Sequence, residues 1–176
     1  MTLWKVDPVH SHVGFSVRHM MVTTVKGSFT SFRGTLDIDD SDFTKSKIEG
    51  DIDVQSVDTK NADRDNHLRT NEFFDAANHP KITFKSTKID ITDKDEGRYT
   101  VHGDITIRGV TKPIALDVEF AGTSKNPYGQ IIAGVSGAGT INRKDFGVVY
   151  NALLETGGVA VSDKVKLEIE VQAQQA

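Results

Sequence analysis

The chain of 176 residues carries 25 acidic and 21 basic side chains for a net charge of −4, and neither sign is gathered into a long block. That balance argues against nucleic acid or an anionic membrane surface as the main partner. The absence of cysteine excludes disulfides and thiolate metal sites, leaving only His/carboxylate ligation open.

The first clear element is a strand over Asp7–His19. Val13, Phe15 and Val17 share one face by the two-residue period of a strand, and the same parity places Ser11 and His19 on that face. An apolar lining with a hydroxyl at one end and an imidazole at the other suits an amphiphile. Alternation continues in Phe32, Leu36 and Ile38, in Ile48, Ile52 and Val54, and in Ile82 and Phe84. It resumes through Tyr99, Val101, Ile105 and Ile107, then through Ile114, Leu116, Val118 and Phe120. Ala133, Val135 and Ile141 follow, and Val165, Leu167, Ile169 and Val171 close the series. Runs such as Asp39-Asp40-Ser41-Asp42, Asp93-Lys94-Asp95-Glu96-Gly97 and Lys125-Asn126-Pro127-Tyr128-Gly129 read as the turns between them. Strands with one wet and one dry face predict antiparallel sheet, and about eight in one domain over residues 1–176 predict a barrel, which leaves no exposed edge.

The stretch between Asp58 and Asn78 breaks the alternation. His67, Asn71 and Phe74 fall at i, i+4 and i+7, and Asp63 or Asp65 suits a first helical turn. One short helix over a barrel end is expected here. Arg18 is a candidate to pin it through Asp63, Asp65 or Asp75.

Glycines fall on the inward faces of these strands: Gly34 with Phe32 and Leu36, Gly50 with Ile48 and Ile52, Gly103 with Val101 and Ile105, and Gly137 and Gly139 with Val135 and Ile141. Each removes volume from an eight-stranded interior that side chains otherwise just fill, so an apolar tunnel is expected. A lipid burying about 20 to 40 carbons would gain about 6 to 12 kcal/mol. The competing reading is that the glycines relieve crowding in coiled strands.

Several motifs occur in a fixed order. Asp7-x-x-His10-Ser11-x-x-x-Phe15-x-x-Arg18-His19 is followed by Gly27-x-Phe29-x-x-Phe32-x-Gly34, and then by Arg64-Asp65-x-His67-Leu68-x-x-x-x-Phe73-Phe74-Asp75. His79-Pro80-x-Ile82-x-Phe84-x-Ser86, Thr106-x-Arg108-Gly109-Val110-Thr111-Lys112-Pro113 and Asn142-Arg143-x-x-Phe146-Gly147 complete the series. From about Trp4 to about Val171 the chain resembles the YceI-like family of lipid-binding proteins. The resemblance implies an eight-stranded, lipocalin-like antiparallel barrel that holds a polyisoprenoid or other long-chain lipid. It also implies a ligand-side role for His19, with Arg18 beside it.

The expected ligand-binding set therefore begins with Ser11, Val13, Phe15, Val17, Arg18 and His19. Phe29, Phe32, Leu36 and Ile52 continue it. His67, Leu68, Phe73 and Phe74 join from the helix region, and Phe84, Val101, Gly103, Ile105, Val135 and Gly137 from the later strands. The expected partner is a long-chain isoprenoid or related amphiphile, with no cofactor, no nucleic acid, no stable membrane insertion and a homodimer as an option. Fatty acids or fatty amides are the alternative ligands. A metal-dependent enzyme built on His10, His12 and a further histidine is the alternative in another class, and a filled structural barrel is the third. Against catalysis, Ser11 and His10 are adjacent and point to opposite faces of a strand, and no G-x-S-x-G or G-x-G-x-x-G spacing occurs. The remaining motif residues read as structural: Arg143 and Phe146 shape a loop, and Arg108-Gly109-Val110-Thr111-Lys112-Pro113 makes a turn between strands with solvated charges and a positive-φ glycine. No run approaches about 18 apolar residues, and Asp7, His10 and Arg18 precede any signal-peptide core. A cytoplasmic location is expected, with the periplasm or the exterior as the alternative if a leader has been removed.

Overall fold

Successive residues of a strand face opposite ways, so a chain that keeps one parity apolar through segment after segment closes that parity inward. In the computed structural model, which describes residues 1–151 and 161–176, the result is a closed antiparallel barrel. Its strands are β1 (Thr2–Val6), β2 (His12–His19), β3 (Thr23–Phe29), β4 (Phe32–Ile38), β5 (Lys47–Asp53), β6 (Val57–Asp58), β7 (Lys81–Asp93), β8 (Arg98–Ile107), β9 (Val110–Lys125), β10 (Ile131–Asn142) and β11 (Lys164–Gln175). A single helix, α1 (Ala62–Leu68), lies between β6 and β7.

These segments make eight long strands, because three of the eight are interrupted. β1 and β2 run end to end along β11, which pairs with both, as in Trp4↔Gln175 and Phe15↔Leu167. The break between them is a 3₁₀ turn at Pro8–His10, capped by the Asp7 carboxylate, which accepts the Val9 N–H at 3.0 Å. Ser11 seals the break. Its hydroxyl donates to the Gln172 carbonyl at 3.3 Å and accepts the Gln172 N–H at 3.0 Å. β3 and β4 bend at Thr30–Ser31, and β5 and β6 are joined by a second 3₁₀ turn at Val54–Ser56. With the bends included, every consecutive pair is antiparallel, and β11 closes the ring on β1 and β2.

The two ends of the barrel differ. At the end carrying the β4–β5, β7–β8 and β9–β10 turns, Asp42 caps a short 3₁₀ turn by accepting the Thr44 N–H at 3.0 Å. This turn drives Phe43 into the interior, where it stacks on Phe120 with centroids 4.7 Å apart and touches Tyr99 at 4.6 Å. Trp4, Ile38 and Ala173 pack with it, so this end is plugged. The opposite end carries the β2–β3 turn, α1 and the chain after β10, with Phe29, Val54, Val57, Ala76 and Phe146 in its core.

The helix is shorter than its sequence spacing suggests. Asn61 caps it by accepting the Arg64 N–H at 3.0 Å, and it stops at Leu68, so Asn71 and Phe74 follow in turns rather than on one helical face. Asp65 is buried, with its carboxylate accepting the Thr59 N–H at 2.8 Å and the Thr59 hydroxyl at 2.5 Å. Arg64 donates to the Thr59 carbonyl at 2.7 Å, and Arg69 to those of Gln55 at 3.0 Å and Val57 at 3.2 Å. These bonds, rather than Arg18, fasten the helix. Arg18 donates instead to the Met21 carbonyl and the Thr24 hydroxyl across its own hairpin.

Candidate binding cavity

Between the two packed ends lies a cavity of about 270 Å³. Val13, Phe15 and Val17 of β2 border it, with Phe29, Phe32, Leu36 and Ile52 from the neighbouring strands. Leu68, Phe73 and Phe74 border it from the helix region, and Phe84, Val101, Ile105, Val135 and Gly137 from the remaining wall. All fifteen belong to the expected set. Neither Trp4, Ile38 nor Phe43 borders it, whereas Val17, Phe73, Val148 and Val161 do, so the cavity runs from the plug toward the α1 end.

Five expected residues do not border it: Ser11, Arg18, His19, His67 and Gly103. Ser11 is committed to Gln172 at the strand break, where the 3₁₀ turn interrupts the parity that assigned it inward. Arg18 has outward parity and is exposed. His19 ends β2 in a bridge to Val161 and, unlike that partner, does not border the cavity. His67 stands one layer out, edge-on to Phe73 at 4.9 Å and Tyr150 at 5.1 Å, with Nε2 3.2 Å from the Glu72 carboxylate.

Gly103 is covered by an aromatic ring. A Cβ there would sit 2.4 Å from Phe84 Cζ and 2.7 Å from the Lys85 carbonyl, so this glycine makes room for Phe84 rather than for a ligand. Gly27 does the same for Phe15, at 2.3 Å. Gly137 is different. A Cβ there would meet Val118 at 3.6 Å and the Asp117 carbonyl at 3.9 Å, which is ordinary contact. Both readings of the glycines therefore hold, at different positions.

Arg143 also borders the cavity, although sequence reasoning took it only for a loop-shaping residue. It is 5% exposed, and its guanidinium donates to the carbonyls of Ser162 at 2.9 Å, Val148 at 2.8 Å and Tyr150 at 2.8 Å, with Val161 at 3.4 Å. Burial pushes its pKa below the ordinary value, and Asp163 at 3.7 Å opposes the shift. The charge thus ties together the strands of chain around the α1 end. Phe146, three residues on, is buried against Phe29 and Phe74 in the same core. Arg108 is likewise not solvated: it donates to the carbonyls of Gly147 and Asn71, each at 2.7 Å. Gly109 beside it has φ +74°, as its turn requires.

The outer wall over Gly34 and Gly50, which pair across β4 and β5, carries ionic groups. Arg33 pairs with Asp51 and with Asp53 at 2.9 Å, and hydrogen bonds from Arg33 and then Ser31 lower the Asp53 carboxyl to about 2. The histidine pair does not form a strand-face motif, because His10 sits in the 3₁₀ turn with Nδ1 2.8 Å from Asp7, while His12 begins β2. Among the described residues, no three His, Cys, Asp or Glu side chains gather into a metal-binding arrangement.

A family model described as the YceI-like domain matches residues 4–173. The chain belongs to the YceI-like family. A UPF0312 protein of Staphylococcus epidermidis is 43% identical over 98% of this chain and 97% of its own. The solved Campylobacter jejuni YCEI protein superposes with a TM-score of 0.76 at 33% identity, covering 90% of each chain. A solved polyisoprenoid-binding domain from Saccharophagus degradans shares the fold, with a TM-score of 0.69 at 16% identity and full coverage of both chains. No helix among the described residues of this YceI-like barrel is long and apolar enough to cross a membrane.

Proposed function

We propose that the barrel holds the apolar chain of one isoprenoid-type amphiphile, shielding it from water with the polar end toward the α1 end. The observation that carries this reading is the cavity itself, an apolar space of about 270 Å³ between two packed cores. The Saccharophagus degradans polyisoprenoid-binding domain supports the ligand class by analogy of fold alone. Binding without catalysis fits the lining. Arg143, the buried ionisable group that borders the cavity, is spent on main-chain carbonyls rather than held beside a nucleophile.

Volume sets the scale of the ligand. A dry cavity of about 150 Å³ holds a benzene, so this one accommodates about ten carbons. A chain of that length gains about 3 kcal/mol at the efficiency of large ligands, and at most about 8 kcal/mol at the full transfer value per methylene. The dissociation constant then lies between about millimolar and micromolar. A longer chain extends toward the α1 end or moves the phenylalanine rings.

The test is solvent extraction and mass spectrometry of the purified protein, followed by reloading of delipidated protein with prenol, geraniol, farnesol and geranylgeraniol. One isoprenoid chain per barrel is expected, with affinity rising from prenol to geraniol and more slowly beyond. A fatty acid or fatty amide recovered instead would keep the cavity and change the ligand class. No binding by any chain would remove the proposal.

A further inference from the structure

The β2–β3 turn places two methionines where the backbone favours asparagine and glycine. Met20 and Met21 both have positive φ, +55° and +61°, and the His19 carbonyl accepts the Val22 N–H at 3.2 Å, the pattern of a type I′ hairpin turn. Met20, Met21 and Val22 are nonetheless 42%, 62% and 73% exposed, so neither turn preference nor burial accounts for them. They are not isolated on the surface. His19 bridges to Val161, whose carbonyl is hydrogen-bonded by Asn151 at 2.7 Å, and Arg143 binds the carbonyls of Val148 and Tyr150. Val149 and Tyr150, 63% and 40% exposed, therefore lie at the same end of the barrel. That is also the end reached by the cavity, through Val17, Phe73, Val148 and Val161.

Charge separates this end from the other. No acidic residue occurs between Asp7 and Asp37, a stretch that spans the whole β2–β3 hairpin and carries Arg18, Lys26 and Arg33. Acids at this end are partly paired, Asp163 with Lys144 at 3.4 Å and Asp58 with Lys60 at 3.2 Å, while Glu72 lies 3.2 Å from His67 and Asp63 and Asp145 are exposed. The plugged end also exposes apolar side chains, Tyr128 and Ile91 among them, but its turns carry Asp39, Asp40, Asp42, Asp93, Asp95 and Glu96. The net charge of −4 averages over these two unlike ends, so it argues against a bilayer for the molecule as a whole but not for the hairpin. Exposed apolar side chains flanked by cations, at the end of the barrel that the cavity reaches, match a lipid surface.

We propose that the tip of the β2–β3 hairpin, with Val149 and Tyr150, docks on the surface of an anionic lipid bilayer and sets the α1 end of the barrel against it. Docking is peripheral: Met20, Met21 and Val22 enter the headgroup layer, and Arg18 and Lys26 face anionic phosphates. The purpose of the contact, loading or release of a lipid, rests on the proposed function; the contact itself does not.

Flotation of the whole protein with phosphatidylcholine vesicles, with and without phosphatidylglycerol, tests it. The wild type should bind, and more tightly when phosphatidylglycerol is present. The variant Met20→Asn/Met21→Gly takes the residues a type I′ turn prefers, so it should fold at least as well, yet its vesicle affinity should fall at least about tenfold. Arg18→Gln and Lys26→Gln should each weaken binding about fivefold, on phosphatidylglycerol vesicles only. Farnesol supplied in solution should still bind the Asn-Gly variant. Loss of farnesol binding by wild type and variant alike would end the functional reading and leave docking standing. A wild type that stays off both vesicles, or an Asn-Gly variant that binds them as the wild type does, would overturn docking, as would self-association through the hairpin without vesicle binding.

Discussion

Gly137→Leu is the perturbation that separates an open cavity from a filled barrel. The new Cβ meets Val118 at 3.6 Å and the Asp117 carbonyl at 3.9 Å, so the backbone of β10 and β9 need not move. The four side-chain carbons of leucine then enter a space that holds about ten, leaving room for about six. At about 0.3 to 0.8 kcal/mol per carbon displaced, binding of a chain that fills the cavity weakens by about 1.2 to 3.2 kcal/mol, or about 8- to 200-fold. Stability should hold or rise, because a strand glycine costs about 0.5 to 1 kcal/mol relative to alanine and the leucine buries apolar surface. Titration with geraniol and farnesol, beside a thermal melt, reads both quantities. Gly103→Leu is the control: its Cβ would fall 2.4 Å from the Phe84 ring and 2.7 Å from the Lys85 carbonyl, so it should lose about 1 to 3 kcal/mol of stability by overpacking. Wild-type affinity in a stably folded Gly137→Leu protein would refute the reasoning. So would a Gly137→Leu protein destabilised as much as Gly103→Leu.

Arg143→Met should leave the buried carbonyls at Ser162, Val148 and Tyr150 without their donor and cost about 3 to 5 kcal/mol in chemical denaturation; a loss under about 1 kcal/mol would show that water replaces the guanidinium. Met20→Asn/Met21→Gly should gain about 1 to 2 kcal/mol by placing residues that tolerate left-handed backbone at both positions, measured in the same assay, and a loss would contradict the turn geometry. The Asp53 carboxyl, held down by Arg33 and then Ser31, should titrate by NMR near 2 in the folded protein and move toward 3.8 in Arg33→Gln. Because its folded pKa is depressed, its stabilising effect is complete above about pH 4 and is lost as pH falls toward about 2.

Much of the barrel was legible because one parity is apolar in every long strand, as in Ile114, Leu116, Val118 and Phe120, and alternation is what a sheet with one dry face produces. The interruptions were not, because they come from hydrogen bonds made at a distance. Ser11 was assigned inward by parity, but the Asp7-capped turn and Gln172, far along the chain, decide its position. β3 escaped notice because Thr23-Thr24-Val25-Lys26-Gly27-Ser28 offers a single large apolar residue before Phe29, and Gly27 exists to receive the Phe15 ring from the facing strand. β1 was missed for a similar reason, since Leu3 and Lys5 face outward and leave only Trp4 and Val6 toward the interior. In the cavity, apolar side chains were predictable and polar ones were not. Parity extends an inward face as far as the strand runs, but His19, at the strand's end, does not border the enclosed space. Arg143 shows the reverse error: its motif reads only as loop-shaping, and only the carbonyls converging on it show that it is buried beside the cavity.

The central claim is that an apolar chain lies inside the barrel between the Phe43 plug and the α1 end. Isotope-filtered NMR of delipidated, methyl-labelled protein with unlabelled geraniol tests it most directly. The account predicts intermolecular NOEs from the ligand methyls to Val13, Val135 and Leu116, which border the cavity, and none to Leu3 or Ile91, which are exposed on the outer surface. NOEs confined to exposed methyls, or unchanged interior resonances at saturating geraniol, would contradict it.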